Sequence, residues 1–314
     1  MKGLYVKILR CAQNDKREFP NRSNIIKNKK SQRRIIMILG ACCFVDNDAA
    51  KTDGMVKMMS EIGYRYLEGG LDRFYRRQFG ETTDQWGGTY PELYPVLKTL
   101  DKYKLRWEVG QHAFVGAYNP SGKQSEEDLE KVRDYMYKLI SSTSDLNIET
   151  LVMGAGGART LPLPDWYDNV IEQMADICKY AISPVLDEYG IILALEPLRK
   201  NETNMINRTD EGVLVAKKAN VPNIKVMADL YHVAEEDTSL ADFVNYKGYI
   251  RHSHMGKPQP RVMPSVGDGY DYKPFFDALR SANFNGRMSI EANKSCDDER
   301  TSLERAYIAM EPLL

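Results

Sequence analysis

Residues 191–196 read Ile-Ile-Leu-Ala-Leu-Glu, an apolar strand-like run that ends in a carboxylate. Three later runs have the same design, and each ends in an acidic or imidazole side chain. They are Ile224-Lys-Val-Met-Ala-Asp229, Ile250-Arg-His-Ser-His254 and Arg287-Met-Ser-Ile-Glu291. The four terminal residues are 33, 25 and 37 positions apart, about one strand plus one helix each time. Because parallel strands bring their carboxyl ends to one rim of a barrel, Glu196, Asp229, His254 and Glu291 are predicted to converge there.

Outward from these runs, apolar segments alternate with amphipathic helical ones. The predicted strands are 35–43, 63–68, 105–111, 148–154, 190–196, 224–230, 249–255 and 287–292. The predicted helices are 53–62, 90–103, 124–143, 166–189, 209–219, 272–283 and 298–312. Strict alternation is typical of a parallel sheet. Eight repeats predict a single-domain α/β protein, a (β/α)₈ TIM barrel, over residues 35–314.

The glycine-rich turn Gly154-Ala-Gly-Gly157 follows the fourth predicted strand. It lacks the spacing of a dinucleotide-binding fingerprint, and no such fingerprint follows the first strand. The turn is therefore interpreted as a tight loop between a strand and a helix.

The charge of the chain is unevenly distributed. Of its 314 residues, 43% are hydrophobic and the net charge is −1, so no overall field attracts nucleic acid or an anionic membrane. Residues 1–34, however, contain eleven Lys or Arg residues against Asp15 and Glu18. This segment has no apolar periodicity and is predicted to be a disordered N-terminal extension; a nucleic-acid tail or a targeting segment is the alternative.

The boundary of this extension resembles a lipoprotein signal. Lys29–Arg34 precede an apolar run that contains Leu39-Gly-Ala-Cys42. Removal of that run would delete the first barrel strand, so we interpret it as a strand. The five cysteines, Cys11, Cys42, Cys43, Cys178 and Cys296, show no CxxC spacing, which favours a reduced, cytoplasmic protein.

Three carboxylates and one imidazole on one rim predict a divalent-metal site. A carboxylate directly after an apolar strand is costly unless it is paired or metal-bound. Each of the four residues alone is a weak signal, but together they form a ligand set. Oxygen-rich ligation with one imidazole suits one Mn²⁺ ion best, with Mg²⁺, Co²⁺ or Zn²⁺ as alternatives.

Several motifs resemble the xylose isomerase-like TIM barrel superfamily, and within it the ketose 3-epimerases. They are Leu195-Glu-Pro197 with Glu202-Thr-Asn204, Asp229-Leu-Tyr-His232, His252-Ser-His254, and Gly267-Asp-Gly269 followed by Phe275, Phe276, Leu279, Gly286 and Ser289-Ile-Glu291. The resemblance covers residues 35–314 and is most specific between 190 and 292. It implies the same four metal ligands.

The resemblance also implies roles for residues around the metal. Glu202, His232 and Arg261 correspond to the family's contacts with substrate oxygens. Glu68 and His112, at the ends of the second and third predicted strands, lie at positions that often line the pocket.

The implied activity is that of a sugar isomerase or epimerase that acts on a keto-sugar or related polyol through a metal-bound enediolate. Glu196 and Glu291 would form its acid/base pair on opposite faces of the substrate.

The same site could instead serve a lyase or dehydratase, because the enediolate can also expel a leaving group. A zinc-dependent abasic-site endonuclease is disfavoured by four histidines and a near-neutral charge, and a non-enzymatic sugar-binding barrel by the complete ligand set. The expected partner is a small carbohydrate, with no nucleic acid or membrane, and a homo-oligomer is plausible.

Overall fold

The computed structural model describes residues 37–43, 45, 47–82, 89–111, 124–160 and 167–314. The predicted N-terminal extension, residues 1–34, lies outside these ranges. The boundary between this extension and the barrel domain therefore stays a prediction.

Eight parallel strands form a closed barrel in which each strand pairs with the next and β8 pairs with β1. The strands are β1 Ile38–Cys42, β2 Leu67–Gly70, β3 Trp107–Gln111, β4 Thr150–Met153, β5 Ile192–Leu195, β6 Ile224–Asp229, β7 Ile250–Met255 and β8 Arg287–Ile290. The predicted single-domain TIM barrel is confirmed. The run that imitates a lipoprotein signal is strand β1, and its Ala41 is in register with Ile290 of β8.

Helices connect the strands on the outside of the barrel. They are α1 Ala49–Ile62, α2 Asp72–Gln78, α3 Leu93–Tyr103, α4 Glu126–Ser142, α5 Tyr167–Ile177, α6 Ser183–Tyr189, α7 Thr209–Ala219, α8 Leu230–Glu235, α9 Lys273–Ser281 and α10 Glu299–Met310. The single helix predicted over 166–189 is α5 and α6 joined by a π-helical segment, Cys178–Ile182. The short helices α2 and α8 were not predicted, because six or seven residues are too few to show helical periodicity.

Local sequence signals fix several helix starts. The Asp48 side chain accepts hydrogen bonds from the backbone N–H groups of Ala50 and Lys51 and thereby caps α1. Ser125 and Asp128 form a capping box at the start of α4. As predicted, α7 begins at Thr209 with acidic residues in its first turn.

The interior of the barrel is filled by side chains. A buried layer crosses its middle, consisting of Tyr66, Val109, Val152, Ala194 and Met227. The Tyr66 hydroxyl forms a hydrogen bond of 2.7 Å with Ser289 Oγ. The Tyr66 ring lies so close to the backbone of β1 that a Cβ at Gly40 would be 2.4 Å from the ring. The barrel is therefore a packed core and not a pore.

Ion pairs lie at the amino-terminal end of the strands. Arg287 Nε, at the start of β8, donates to Glu108 Oε2 in β3 at 2.7 Å. Glu149, just before β4, lies within 4.0 Å of both Arg287 and Arg251. This end of a TIM barrel serves stability, whereas catalytic residues lie at the carboxyl end.

Within the described ranges, no helix combines the length and the apolar character needed to cross a bilayer.

Candidate active site at the carboxyl ends of the strands

The structure brings the four predicted metal ligands together. Glu196 directly follows β5, Asp229 ends β6, His254 lies near the end of β7 and Glu291 directly follows β8. Each offers one donor atom, and the four atoms lie within 4.8 Å of one another. Their convergence follows from the geometry that the strand-end pattern predicts.

The orientation of His254 suits a metal ligand. The ring is fully buried, and its Nε2 lies 2.8 Å from Glu68 Oε1. Its Nδ1 faces Glu291 Oε2 at 3.1 Å and Glu196 Oε1 at 3.4 Å. Nδ1 is nevertheless a buried nitrogen without a hydrogen-bond partner among the described residues. An unpartnered imidazole nitrogen that faces carboxylate oxygens is the donor set expected for a divalent cation, so the residues present fit such an ion.

Electrostatics also favour a cation at this point. Burial alone would lower the pKa of His254, but the Glu291 and Glu68 carboxylates raise it well above its usual range. Burial alone would raise the pKa of Glu291, but His254 and Arg261 lower it to about 2. The Glu291 carboxylate is therefore ionised at neutral pH, as a metal ligand or a proton acceptor must be.

The structure places Glu68 beneath the ligands and not in the cavity lining. Its carboxylate is fully buried and lies between two imidazoles, with Oε2 at 2.7 Å from His252 Nε2 and Oε1 at 2.8 Å from His254 Nε2. Burial alone would raise the pKa of Glu68, but the two histidines hold it well below its usual range. A carboxylate that accepts from the remote nitrogen of a ligating histidine fixes the tautomer of that ring.

Replacement of Glu68 by Gln is expected to weaken Mn²⁺ binding by about 10- to 100-fold, the range typical of such supporting carboxylates. The amide has one accepting oxygen for two imidazoles, and its NH₂ group favours a His254 tautomer with hydrogen on Nδ1. Calorimetric titration of the metal-free protein with Mn²⁺ would measure the change. Glu149→Gln, at the opposite end of the barrel, is the matched control and should bind Mn²⁺ like the wild type. Equal affinity of all three proteins would contradict this role for Glu68.

A cavity of about 510 Å³ opens above the ligands. Five of the predicted site residues line it: Glu196, Glu202, His232, Arg261 and Glu291. His112, the remaining predicted lining residue, lies outside the described residues.

His232 and Arg261 face the ligands from two sides. His232 Nδ1 accepts the backbone N–H of Arg199 at 3.1 Å, so the neutral ring carries its hydrogen on Nε2, which lies 3.6 Å from Asp229 Oδ2. The Arg261 guanidinium donates to Asp229 Oδ2 at 2.8 Å and to Glu291 Oε2. Both side chains thus present donors at the edge of the ligand cluster, where they can bind oxygen atoms of a ligand.

Glu202 lines the same cavity at a greater distance from the cluster. It accepts a hydrogen bond of 2.9 Å from Arg199 Nε, and about a third of its side chain is exposed. Glu202 therefore keeps accepting capacity for a hydroxyl group in the cavity.

The glycine-rich loop after β4 has a larger part in the site than the sequence indicated. Gly154 and Gly156 line the cavity. A Cβ at Gly154 would be 2.4 Å from Glu196 Oε2, and one at Gly156 would be 2.7 Å from the carbonyl oxygen of Glu202. The loop is tight, as predicted, because two site residues pack against its backbone.

Arg159 was also missed by the sequence analysis. This fully buried side chain donates from Nε to the Gly154 carbonyl oxygen and from a terminal nitrogen to the Glu196 carbonyl oxygen, both at 2.6 Å. Burial lowers its pKa to about 10. Arg159 thereby joins the ends of β4 and β5. An arginine in a glycine-rich loop has no local signal that distinguishes it from an exposed one.

Comparison with known proteins identifies the family of the barrel. A family model described as a xylose isomerase-like TIM barrel matches residues 56–310. The chain belongs to this family. Among its relatives, a D-psicose 3-epimerase of Agrobacterium fabrum is 27% identical over 166 residues, which cover 50% of this chain and 54% of that protein. A 3-dehydro-D-guloside 4-epimerase of Escherichia coli is 24% identical over 110 residues, which cover 35% of this chain and 41% of that protein. The chain thus spans about half, or less, of the length of these curated relatives.

Solved structures show the same barrel fold over most of the chain. An apo 3-keto-D-glucoside 4-epimerase from Escherichia coli superposes with a TM-score of 0.68 and 17% identity, covering 88% of this chain and 99% of that chain. A D-allulose 3-epimerase from a Methylomonas species superposes with a TM-score of 0.68 and 19% identity, covering 89% and 98%. At this level of identity the superpositions establish the fold.

Proposed function

We propose that this protein is a divalent-metal-dependent epimerase that inverts a carbon next to the carbonyl group of a keto-sugar. One observation carries the proposal: Glu196 and Glu291 each direct one oxygen at His254 Nδ1 and also line the same cavity. Each carboxylate can therefore serve the ligand cluster with one oxygen and a bound sugar with the other. The relatives support the substrate class, since a D-psicose 3-epimerase and a 3-dehydro-D-guloside 4-epimerase both act on keto-sugars.

The inner and outer oxygens of the two carboxylates are distinct in this site. Glu196 Oε1 and Glu291 Oε2 face the imidazole of His254. Glu196 Oε2 packs against Gly154, in β4's loop, and Glu291 Oε1 accepts from Gln111, at the end of β3. The outer oxygens thus lie toward different strands of the rim, as expected for groups that approach opposite faces of one carbon.

The ligands Glu196, Asp229, His254 and Glu291 would hold one divalent ion, and Mn²⁺ suits this donor set best. When bound, such an ion acidifies the hydrogen next to a ketone by stabilising negative charge on the carbonyl oxygen. That charge stabilisation is needed because an ordinary carboxylate is too weak a base for such a hydrogen.

The chain's own residues would then move the proton. One of Glu196 and Glu291 removes the hydrogen from one face of the carbon, and the other delivers a hydrogen to the opposite face. Arg261, His232 and Glu202 bind the neighbouring hydroxyl groups and keep the carbon within reach of both bases. Because both carboxylates line one cavity, no large movement of the sugar is required.

Elimination from the same site is the alternative chemistry, and the activities of the relatives give it no support. The cytoplasmic location and a homo-oligomeric state remain further proposals about this enzyme.

The test is NMR spectroscopy of D-psicose, D-fructose, D-tagatose and a 3-keto-glucoside with chelator-treated protein in D₂O, before and after addition of Mn²⁺, Mg²⁺, Co²⁺ or Zn²⁺. We expect deuterium next to the carbonyl, together with an epimeric product, only after a metal is added. His254→Ala should bind metal more weakly and should therefore need a higher metal concentration for the same rate of deuterium exchange. Exchange without added metal would contradict the metal requirement, and an eliminated product would replace epimerisation by lyase chemistry.

A further inference from the structure

Gln111 reaches from the end of β3 to the carboxylate that follows β8. Its Nε2 lies 3.0 Å from Glu291 Oε1 and 3.3 Å from Cys42 Sγ, at the end of β1. The side chain is 4% exposed and lines the cavity. Between β8 and β3 lie β1 and β2, so this hydrogen bond spans part of the barrel mouth.

The hydrogen bond divides the two oxygens of Glu291 between two environments. Oε2 lies 3.1 Å from His254 Nδ1 and accepts a hydrogen bond from the Arg261 guanidinium. Oε1 faces the neutral amide of Gln111. The terminal torsion of a glutamate is broad and roughly two-fold, so it does not hold the carboxylate plane by itself. The Gln111 amide on Oε1 and the Arg261 guanidinium on Oε2 together fix the plane.

Glu196, the other proposed base, is restrained differently. Its Oε1 lies 3.4 Å from His254 Nδ1, while its Oε2 packs against the backbone of Gly154. Packing positions this carboxylate from one side, whereas a hydrogen bond aims that of Glu291. The two faces of a bound sugar would therefore meet bases that depend on different residues.

We propose that Gln111 is a positioning residue that aims Glu291 Oε1 at the reacting carbon and so governs proton transfer on one face only. This inference rests on the proposed function. Without the amide donor, the Glu291 carboxylate is free to turn both oxygens toward Arg261 and His254. A misdirected base loses the alignment on which transfer from carbon depends, which costs up to about 100-fold in rate.

The test compares wild type with Gln111→Leu, which has a similar volume but no donor. Because the equilibrium constant of the reaction is unchanged, kcat/KM should fall by the same factor, about 10- to 100-fold, in both directions. The isotope effects on kcat/KM, however, should differ between the two directions. From the epimer whose hydrogen Glu291 removes, a deuterium label on the reacting carbon should give a larger effect than in wild type. From the other epimer, Glu291 delivers the hydrogen instead of removing it. In that direction the substrate isotope effect should be smaller than in wild type, and the solvent isotope effect should be larger.

Leu198→Ala is the matched control, because Leu198 also lines the cavity but its apolar side chain has no hydrogen-bond donor for Glu291. We expect this variant to raise KM and to leave the isotope effects of the two directions balanced. Gln111→Met, which also lacks a donor, replaces the leucine variant if the latter does not fold or does not bind Mn²⁺. Isotope effects that change equally in both directions, or unchanged kinetics, overturn the assignment. Absence of metal-dependent exchange in wild type would instead refute the proposed function itself.

Discussion

Replacement of Glu291 by Gln is expected to lower kcat by about 10²- to 10⁴-fold, the range that a positioned acid/base group contributes. The amide has nearly the size of the carboxylate and keeps one oxygen for His254 and Arg261, so the fold should persist. It cannot accept a proton at neutral pH, however, whereas Glu291, whose pKa is about 2, is ionised there.

Deuterium incorporation from each epimer in D₂O measures this effect. Exchange should be lost from the epimer whose hydrogen Glu291 removes, and it should persist from the epimer whose hydrogen Glu196 removes. Metal content must be determined in parallel, because Glu291 is also a proposed ligand. Glu202→Gln is the matched control, for which we expect a higher KM and exchange from both epimers. Wild-type exchange in Glu291→Gln would exclude Glu291 as a base.

Addition of a single methyl group at Gly154 is expected to lower kcat/KM by about 100-fold, the loss typical of a displacement of about 1 Å in a catalytic group. A Cβ at this position would lie 2.4 Å from Glu196 Oε2, much closer than any real contact. Arg159 holds the carbonyl oxygens of Gly154 and Glu196, so the backbone cannot easily yield. The Glu196 carboxylate must therefore move, and both metal binding and proton transfer should suffer.

Gly157→Ala is the control, because a Cβ at Gly157 would have no atom within 4 Å. Gly154→Ala and Gly157→Ala thus make the same substitution in the same loop, but only the first places a methyl group against a site residue. We expect Gly157→Ala to have wild-type kcat/KM and Mn²⁺ affinity. If the two alanine variants behave alike, the loop does not position Glu196.

The strand-end pattern was sufficient to predict the barrel and the convergence of Glu196, Asp229, His254 and Glu291. Apolar runs such as residues 191–195 bury both faces of a strand, and a charged residue at the end of such a run must lie at the rim. Alternation along β7 likewise turns His252 and His254 into the barrel together. These features depend on neighbours in sequence, so the sequence carries them.

Glu68 was predicted to lie at the rim, and the structure places it inside the barrel instead. The second strand was predicted over 63–68, which made Glu68 its last residue. The strand instead runs from Leu67 to Gly70, so the barrel continues past Glu68 and its side chain lies inside. Two glycines gave no apolar signal from which to extend the strand.

Gln111, Arg159 and Gly154 could not be assigned from sequence for a different reason. Gln111 donates to Glu291, which is 180 residues away, and Arg159 donates to the backbone of Glu196, which is 37 residues away. An amide, a guanidinium and a glycine become specific only through what the closed barrel brings beside them. Their roles belong to the tertiary structure.

The packed layer of Tyr66, Val109, Val152, Ala194 and Met227 has a consequence for the order of events in catalysis. Among the described residues, this layer closes the barrel on the inner side of the carboxylates, whereas the cavity lies on their outer side. In the proposed reaction, a turnover leaves one glutamate loaded with a hydrogen and the other empty, the reverse of the starting arrangement. Repeated conversion in one direction therefore includes a reset, in which the loaded glutamate loses its hydrogen and the other gains one from the cavity side.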